Sequence, residues 1–256
     1  MRSLIAFMKK EAMSQLRTGK LFIVLGVFVL LGVMNVAVAK LTPWLLGLFK
    51  DALAESGMNI TEVAVSAMDS WAQYYKNLPM GVIVFVVLQG TAFTKEYRSG
   101  TLVLSLTKGL ERFKVVVAKA SMLFVVWSLC YWSCFGVTCL GNACFWDNSV
   151  ASALMFSAVC WWLFGVFIVA LMTLLSIIFS SSAWVLLGTG GGVLISYIIG
   201  LIPKVGKYLP TFLTNGTSLI YGMVQPKEYL VSILITAVLT VVCFVVSVPL
   251  FNKKQL

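Results

Sequence analysis

The side chains that most often carry out chemistry are sparse in this chain. It has no histidine, nine acidic residues and six cysteines. Because histidine is the usual general base and metal ligand near neutral pH, its absence removes the common catalytic triads. The cysteines lack CxxC spacing and mostly lie in apolar stretches, which favours apolar packing over a zinc site or a disulfide framework. They are Cys130, Cys134, Cys139, Cys144, Cys160 and Cys243.

One glycine-rich segment invites comparison with a phosphate-binding loop. It reads Gly188-Thr189-Gly190-Gly191-Gly192 and lacks the Lys-Ser/Thr ending of that motif. Its position inside an apolar run is more typical of close helix packing through small residues. We therefore expect a protein that is not an enzyme and that binds no cofactor itself.

The composition indicates a membrane protein. Sixty per cent of the residues are hydrophobic and eleven per cent are charged, whereas a soluble domain has about a quarter charged. The apolar residues form long uncharged runs, and about 20 helical residues are needed to span a bilayer. The net charge of +10 comes from residues that flank these runs, which indicates membrane orientation rather than nucleic-acid binding.

Hydropathy predicts an all-α fold of six transmembrane helices in a single transmembrane domain. The spans are expected at about residues 21–39, 78–94, 115–141, 150–179, 183–202 and 229–251. Pro79 is a suitable first helical residue for the second span, and Ser180-Ser181-Ser182 is the predicted break between the fourth and fifth. Segments 40–77 and 203–228 are predicted to be extracellular, the former as short amphipathic helices.

The first twenty residues combine basic side chains with apolar residues at helical spacing. This pattern predicts an interfacial amphipathic helix, although a plain basic flank would also orient the next span. Ala37-Val38-Ala39 resembles a signal-peptidase site, but the basic region and the apolar run are both too long for a signal peptide. The apolar positions are Leu4, Ile5, Met8, Ala12 and Leu16.

Basic residues are unevenly distributed between the two predicted sides. The termini and the segment after span two hold thirteen Lys and Arg residues, and the opposite side holds six. The positive-inside rule then places both termini in the cytoplasm of a multi-pass cell membrane protein.

The predicted spans contain no acidic residue, and their basic residues lie near the ends. Ion-coupled transporters and charged channel filters normally keep ionisable groups at membrane depth. A protein of this kind that does work must therefore receive energy from another subunit.

A family resemblance appears after the second span. The residues Phe93-Thr94-Lys95-Glu96-Tyr97-Arg98-Ser99-Gly100-Thr101-Leu102 are followed by Arg112 and Lys119. This resembles the first cytoplasmic loop of ABC-2 type permeases, the membrane subunits of one class of ATP-binding cassette exporter. Further similar segments are Phe7-Met8-Lys9-Lys10-Glu11, Gly19-Lys20, Pro210, Pro226-Lys227-Glu228-Tyr229 and Phe251-Asn252-Lys253-Lys254.

The resemblance implies an ABC-2 (type V) exporter-like fold with defined partners. These are a cytoplasmic ABC ATPase, which would bind ATP and Mg²⁺, a second permease copy in a homodimer or heterodimer, and membrane lipid. Residues 95–114 would form the ATPase-coupling loop, and Phe7, Lys9, Lys10 and Glu11 would belong to an interfacial connecting helix. The coupling residues would be Lys95, Glu96, Tyr97, Arg98, Ser99, Gly100, Thr101, Leu102 and Arg112. An ordinary basic loop is the alternative.

Charge and capping chemistry suit the coupling role. Glu96 and Arg98 can form charge-assisted bonds to a partner, Gly100 can end a helix, and Thr101 can cap the next segment. Leu102, Leu104 and Leu106 offer apolar contact.

Aromatic side chains in spans three and four are candidates for lining a cargo pathway, although helix packing and lipid contact would explain them as well. Such a lining suits a hydrophobic or amphipathic cargo, such as an antimicrobial or toxin-like peptide or a lipophilic drug. A non-transporting scaffold or sensor, a passive channel and a lipid-modifying enzyme are the alternatives. The candidate residues are Trp127, Tyr131, Trp132, Trp161, Trp162, Phe164 and Phe167.

Overall fold

The protein is helical throughout the part that the structure describes. The computed structural model describes residues 2–48, 64–102, 107, 109 and 111–254. Six helices in these ranges are long and apolar enough to cross a membrane. The prediction of an all-helical chain with six such segments is confirmed.

The helices are numbered in chain order. The long ones are α2 (Lys20–Leu48), α3 (Ala67–Gln89), α5 (Arg112–Phe145), α6 (Leu154–Ile178), α7 (Ser182–Gly200) and α10 (Leu230–Lys253). The shorter ones are α1 (Arg2–Arg17), α4 (Thr94–Ser99), α8 (Pro203–Gly206) and α9 (Gly216–Ile220). Three 3₁₀ turns lie at Asn148–Val150, Pro210–Thr214 and Pro226–Tyr229.

The second long helix begins much earlier than its apolar run. Ser66 forms a capping box, in which its hydroxyl accepts a hydrogen bond from the N–H of Met68 and Asp69 accepts one from the N–H of Ser66. These bonds satisfy N–H groups that a helix start leaves unpaired, so α3 starts at Ala67. The predicted start near Leu78, with Pro79 as first helical residue, is wrong, because Pro79 lies inside α3.

The other long helices also extend beyond the predicted spans. α2 continues to Leu48 through Pro43, so residues 40–48 belong to the first long helix and not to a separate amphipathic one. Residues 67–77 likewise belong to α3, and 49–63 lie outside the described residues. α5 covers Arg112–Phe145 rather than 115–141. α6 ends at Ile178 and α7 begins at Ser182, on either side of the predicted break.

Longer helices bring charges into the spanning segments. Lys40, Asp69 and Lys76 lie within α2 or α3, and Lys119 lies more than one turn inside α5. Asp69 serves the cap of α3, and Lys76 is exposed. The long helices therefore contain charged residues that the shorter predicted spans leave out.

The bundle is organised around aromatic residues. α2 packs mainly on α5 and α3, while α6 packs mainly on α10 and α5. The largest fully buried side chains between these helices include Trp71, Tyr74, Trp127, Tyr131 and Trp161. Trp127 makes edge-on contacts with Phe28 and Phe85 at ring-centroid distances of 5.9 and 5.4 Å. Such contacts add directional packing to apolar burial.

Both ends of the chain meet at one end of the bundle. Glu11 of α1 and residues 251–254 at the end of α10 each contact the first turns of α5. We call this the charged end, because it gathers the ion pairs described next.

Candidate functional site at the charged end of the bundle

Four charged side chains from three helices form a compact cluster. The charge cluster consists of Lys10 and Glu11 on α1, Glu96 on α4 and Lys119 on α5. The Lys119 ammonium nitrogen lies 3.2 Å from a Glu11 oxygen and 3.0 Å from a Glu96 oxygen. Lys10 pairs with the other oxygen of Glu96 at 2.5 Å. The two cations and two anions balance in formal charge.

Three members of the cluster are largely buried, while the Lys10 side chain is 45% exposed. The side chain of Lys119 is 1% exposed, that of Glu11 10% and that of Glu96 15%. Lys119 also donates a hydrogen bond of 2.9 Å to the carbonyl of Ala92. Buried ion pairs are costly to desolvate, and removing one partner leaves an uncompensated charge. The cluster therefore fixes the relative positions of α1, α4 and α5 rather than simply adding stability.

Apolar and aromatic residues surround the cluster. Lys119 lies 5.4 Å from the ring centroid of Phe93 and 6.0 Å from that of Phe7. Both rings belong to a second core that joins α1, α5, α6 and α10, separate from the main aromatic core. We call it the basal core, and it contains Phe7, Phe93, Leu102, Val115, Val116, Ala118, Ile177 and Phe251. Its apolar walls shield the charges from water, which strengthens their attraction.

A short helix connects the cluster to the following turn. α4 ends at Gly100, whose φ of +65° is left-handed, and whose N–H donates to the carbonyl of Tyr97 at 3.4 Å. Glycine adopts this conformation without a steric penalty, so Gly100 ends α4 as predicted. Lys95 is exposed on α4, whereas Glu96 points into the cluster.

Several residues predicted to contact the ATPase form contacts within this chain. Leu102 is 1% exposed in the basal core, so the expectation that it offers a free apolar contact is wrong. Glu96 is bonded to α1 and α5, not directed outward. Thr101 is exposed. The side chains of Arg98 and Ser99, and the residues Leu104 and Leu106, lie outside the described part.

Arg112 holds the C-terminal end of the last helix. Its guanidinium donates to the carbonyls of Phe251, Asn252 and Lys254 at 3.0, 3.0 and 2.8 Å. Carbonyls at a helix end have no partner within the helix, so a cation satisfies both their bonds and the helix dipole. The resemblance places Arg112 in the ATPase-coupling loop, and in the structure its side chain caps the end of α10.

Lys254 adds contacts between the C-terminal segment and two further helices, α6 and α4. Its ammonium donates to the carbonyl of Ile177 at 2.6 Å, at the end of α6, and lies 4.3 Å from the ring centroid of Tyr97. Burial lowers the pKa of Lys254, because the charged form loses water contacts. The C-terminal segment thereby contacts α4, α5 and α6 together.

Polar contacts also fix the junction of α1 and α2 against α3. Gln15 donates to the side-chain oxygen of Gln89 at 2.9 Å, and both residues are buried. Lys20 donates to the carbonyl of Leu88 at 3.3 Å and to the hydroxyl of Thr91. α1 is thus bonded to α3 as well as to the charge cluster. Among the residues predicted for the interfacial helix, Phe7 lies in the basal core, and Lys10 and Glu11 lie in the charge cluster. Lys9 is exposed.

The aromatic candidates for a cargo lining mostly pack the interior. Trp127, Tyr131, Trp161 and Phe164 are at most 2% exposed. Their polar atoms are used between helices, since Tyr131 donates to the carbonyl of Ala158 at 2.6 Å and Trp161 to that of Thr214 at 2.9 Å. Trp132, Trp162 and Phe167 are partly buried. This placement is that of packing residues.

Trp161 and Phe164 also border an apolar cavity of about 350 Å³ between α3, α6 and α7. Val86, Leu186 and Val193 are among its other walls. α7 is mostly exposed within the isolated chain, with 11% of its most apolar window buried. The cavity is therefore open toward the surroundings of the bundle.

Among the described residues, no group of three or more His, Cys, Asp or Glu side chains could hold a metal ion. The chain matches no protein-family model and no curated protein sequence.

The contacts of two lysines in the site, Lys119 and Lys254, are not identifiable from the sequence. Lys119 lies four residues into the predicted third span, and its pairing with Glu11 joins residues far apart in the chain. Lys254 belongs to what the sequence presents as a basic tail. The available signal is chemical, because basic residues next to long apolar runs need anionic or aromatic partners when they become buried. Spacing along the chain does not identify those partners.

Proposed function

We propose that this chain is the transmembrane permease subunit of an ATP-driven exporter. A separate cytoplasmic ABC ATPase, with its own ATP and Mg²⁺, would dock against α4 at the charged end. A second permease copy would complete the transport pathway. The observation that carries the proposal is that α4 follows the second long helix closely and is bonded through Glu96 to α1 and α5.

This arrangement suits the transmission of force. A push on α4 acts on Glu96, whose buried pair with Lys119 resists separation because it would leave a charge without its partner. Lys119 is paired in the same way with Glu11 of α1. α1 and α5 would therefore move with α4. Packed elements transmit such displacements because close-packed interiors have low compressibility.

The distribution of charge supports a cytoplasmic location for this end. The chain carries an excess of Lys and Arg in its terminal segments and after α3, and the structure brings these segments to one end of the bundle. By the positive-inside rule that end faces the cytoplasm, where an ATPase is located. In this orientation the chain is a multi-pass cell membrane protein with both termini inside.

The cargo class follows from the apolar cavity between α3, α6 and α7. Its walls include Trp161 and Phe164 with several aliphatic residues, and such walls favour a hydrophobic or amphipathic molecule. A peptide with an apolar face or a lipophilic drug fits this chemistry. The other predicted aromatic residues do not line this cavity.

The charge cluster also bears on the alternative of proton-coupled transport. Proton-coupled transport needs a carboxylate that changes its protonation state during the cycle. Glu11 and Glu96 are each matched by a lysine at one end of the bundle, which suits a fixed link between helices.

The direct test is affinity purification in mild detergent followed by mass spectrometry of the chains that co-purify. We expect an ATPase with Walker motifs to be retained. K95E, which reverses an exposed charge on α4, should lower its recovery several-fold, whereas K204E, at the opposite end, should leave it unchanged. Equal losses in both variants, or no ATPase with the wild-type chain, would contradict the proposal.

A further inference from the structure

A second apolar groove runs along the bundle surface between α2 and α5. The lateral groove has a volume of about 420 Å³ and is lined by Val33, Ala37, Lys40, Leu41, Gly141 and Phe145, among others. It is separate from the cavity near α7 and shares no residue with the charge cluster. Lys40 is the charged residue in its wall.

Small residues give this groove its floor. A Cβ atom added to Gly141 would lie 2.9 Å from a methyl carbon of Val36, so α2 and α5 approach closely at this point. Ala37 lies one residue beyond Val36, between Val33 and Leu41 on the groove wall. Larger side chains on both sides of small ones leave a channel that runs along α2 for about 12 Å, given a rise of about 1.5 Å per residue.

The charge of Lys40 is placed at the level of lipid headgroups. Lys20 begins α2 at the charged end, and the helical rise puts Lys40 about 30 Å farther along the axis. A hydrocarbon core is also about 30 Å thick. The Lys40 ammonium lies 3.4 Å from the ring centroid of Phe145, and both residues line the groove.

Among the described residues, no carboxylate forms an ion pair with Lys40. Its positive charge and the apolar channel below it are complementary to a molecule with an anionic head and a hydrocarbon tail. A soluble acidic peptide would match the charge but not the channel. A second protein helix would fill the channel but leave the charge without an anion.

From this geometry we infer that the lateral groove is a binding site for an anionic phospholipid. The phosphate contacts the Lys40 ammonium at the interface opposite the charged end, and one acyl chain lies between Val33 and Phe145. The lipid would couple α2 to α5 on the side of the bundle away from α4. This site does not depend on the transport activity proposed above.

The size of the preference for an anionic over a zwitterionic lipid can be predicted. A lysine near the membrane surface attracts an anionic lipid by an amount that corresponds to about a fivefold preference over a zwitterionic one. K40Q should abolish most of that preference, and K40R should retain it. A37L should weaken the binding of anionic and zwitterionic lipids alike, because the added side chain fills the channel.

The test is native mass spectrometry of the intact chain titrated with phosphatidylglycerol or phosphatidylcholine. K207Q is the matched control, because Lys207 lies at the same end of the bundle and also faces a ring, that of Tyr208 at 5.5 Å. We expect K207Q to keep the wild-type preference for phosphatidylglycerol.

Three results would overturn the inference. Equal losses of preference in K40Q and K207Q would indicate unspecific attraction to a basic surface. Unchanged lipid binding in A37L would remove the groove from the site. A two-chain assembly that lacks bound lipid and dissociates in A37L would place a second copy of the chain in the groove.

Discussion

The ammonium nitrogen of Lys119 lies 3.0 Å from a carboxylate oxygen of Glu96. Lys119 belongs to the third long helix, and Glu96 belongs to the short helix that follows the second. The lysine is 1% exposed, so this contact forms in a region that excludes water. It links the segment proposed to receive force to a helix long enough to cross the membrane, and the first three predictions concern this link and its surroundings.

Replacing Lys119 should strongly destabilise the charged end. K119M keeps the apolar stem but leaves Glu11 and Glu96 with one cation fewer, and losing one partner of a buried pair costs about 3 kcal/mol or more. We expect a clearly lower midpoint of thermal unfolding in detergent. K95M changes an exposed lysine close by and should shift the midpoint little. Equal shifts in the two variants would contradict the assigned role of the cluster.

Removing the charge of Glu96 should separate ATPase binding from transport. E96Q keeps the shape of the side chain but weakens both lysine contacts, so α4 would no longer move rigidly with α1 and α5. ATP hydrolysis by the bound ATPase should continue while export per ATP falls several-fold in proteoliposomes. R98A is expected to act similarly, with membrane insertion intact.

The matched control for E96Q is E111Q, since Glu111 is 59% exposed and pairs with Lys114. It should retain export. Wild-type export by both E96Q and R98A would remove this segment from the coupling pathway.

Arg112 should determine the order of the C-terminal turn. R112Q loses charge-assisted hydrogen bonds that one guanidinium nitrogen shares among three carbonyls, and a bond to a charged group contributes about 1.5 to 3 kcal/mol to stability. We expect faster amide hydrogen exchange near the end of α10. K114Q changes a neighbouring lysine that pairs with Glu111 and should leave exchange there unchanged. Similar exchange in both variants would argue against the cap.

The close approach of α5 and α6 depends on Gly165. A Cβ atom added there would overlap the indole of Trp127, so G165A must displace a ring that packs against Phe28 and Phe85. Overpacking of this kind costs about 1 to 3 kcal/mol, to be measured as a lower unfolding midpoint. G136A, on α5, meets no atom within 4 Å and should be neutral. A neutral G165A would show that the helices can separate at no cost.

The helical class and the number of long apolar helices could be predicted because a bilayer imposes a strong pattern on the sequence. Uncharged apolar runs long enough to cross a bilayer are rare outside membrane-spanning helices. Helix ends were harder to predict, because they depend on local bonds that hydropathy does not measure. The capping box of Ser66 and Asp69 starts α3 well before its apolar run, and the Ser-x-x-Asp pattern is the signal that could have located it.

The site was predictable in part. Local motifs indicate Glu96, Lys10 and Glu11, and the structure brings them together in one cluster. Their partner Lys119 and the cap formed by Arg112 arise from contacts between distant segments, which spacing along one chain does not reveal. The buried aromatic residues show the same limit, since composition cannot separate a cargo lining from helix packing.

The proposed function requires that force enter this protein from the cytoplasm through the charged end. It is tested most directly by labelling intact cells with a membrane-impermeant thiol reagent, with peptide mapping to separate engineered sites from native cysteines. The variants are K95C, at an exposed position on α4, and S149C, at an exposed position at the opposite end. We expect S149C to be labelled in intact cells and K95C to be labelled only after permeabilisation. Labelling of K95C from outside intact cells would contradict the proposed function.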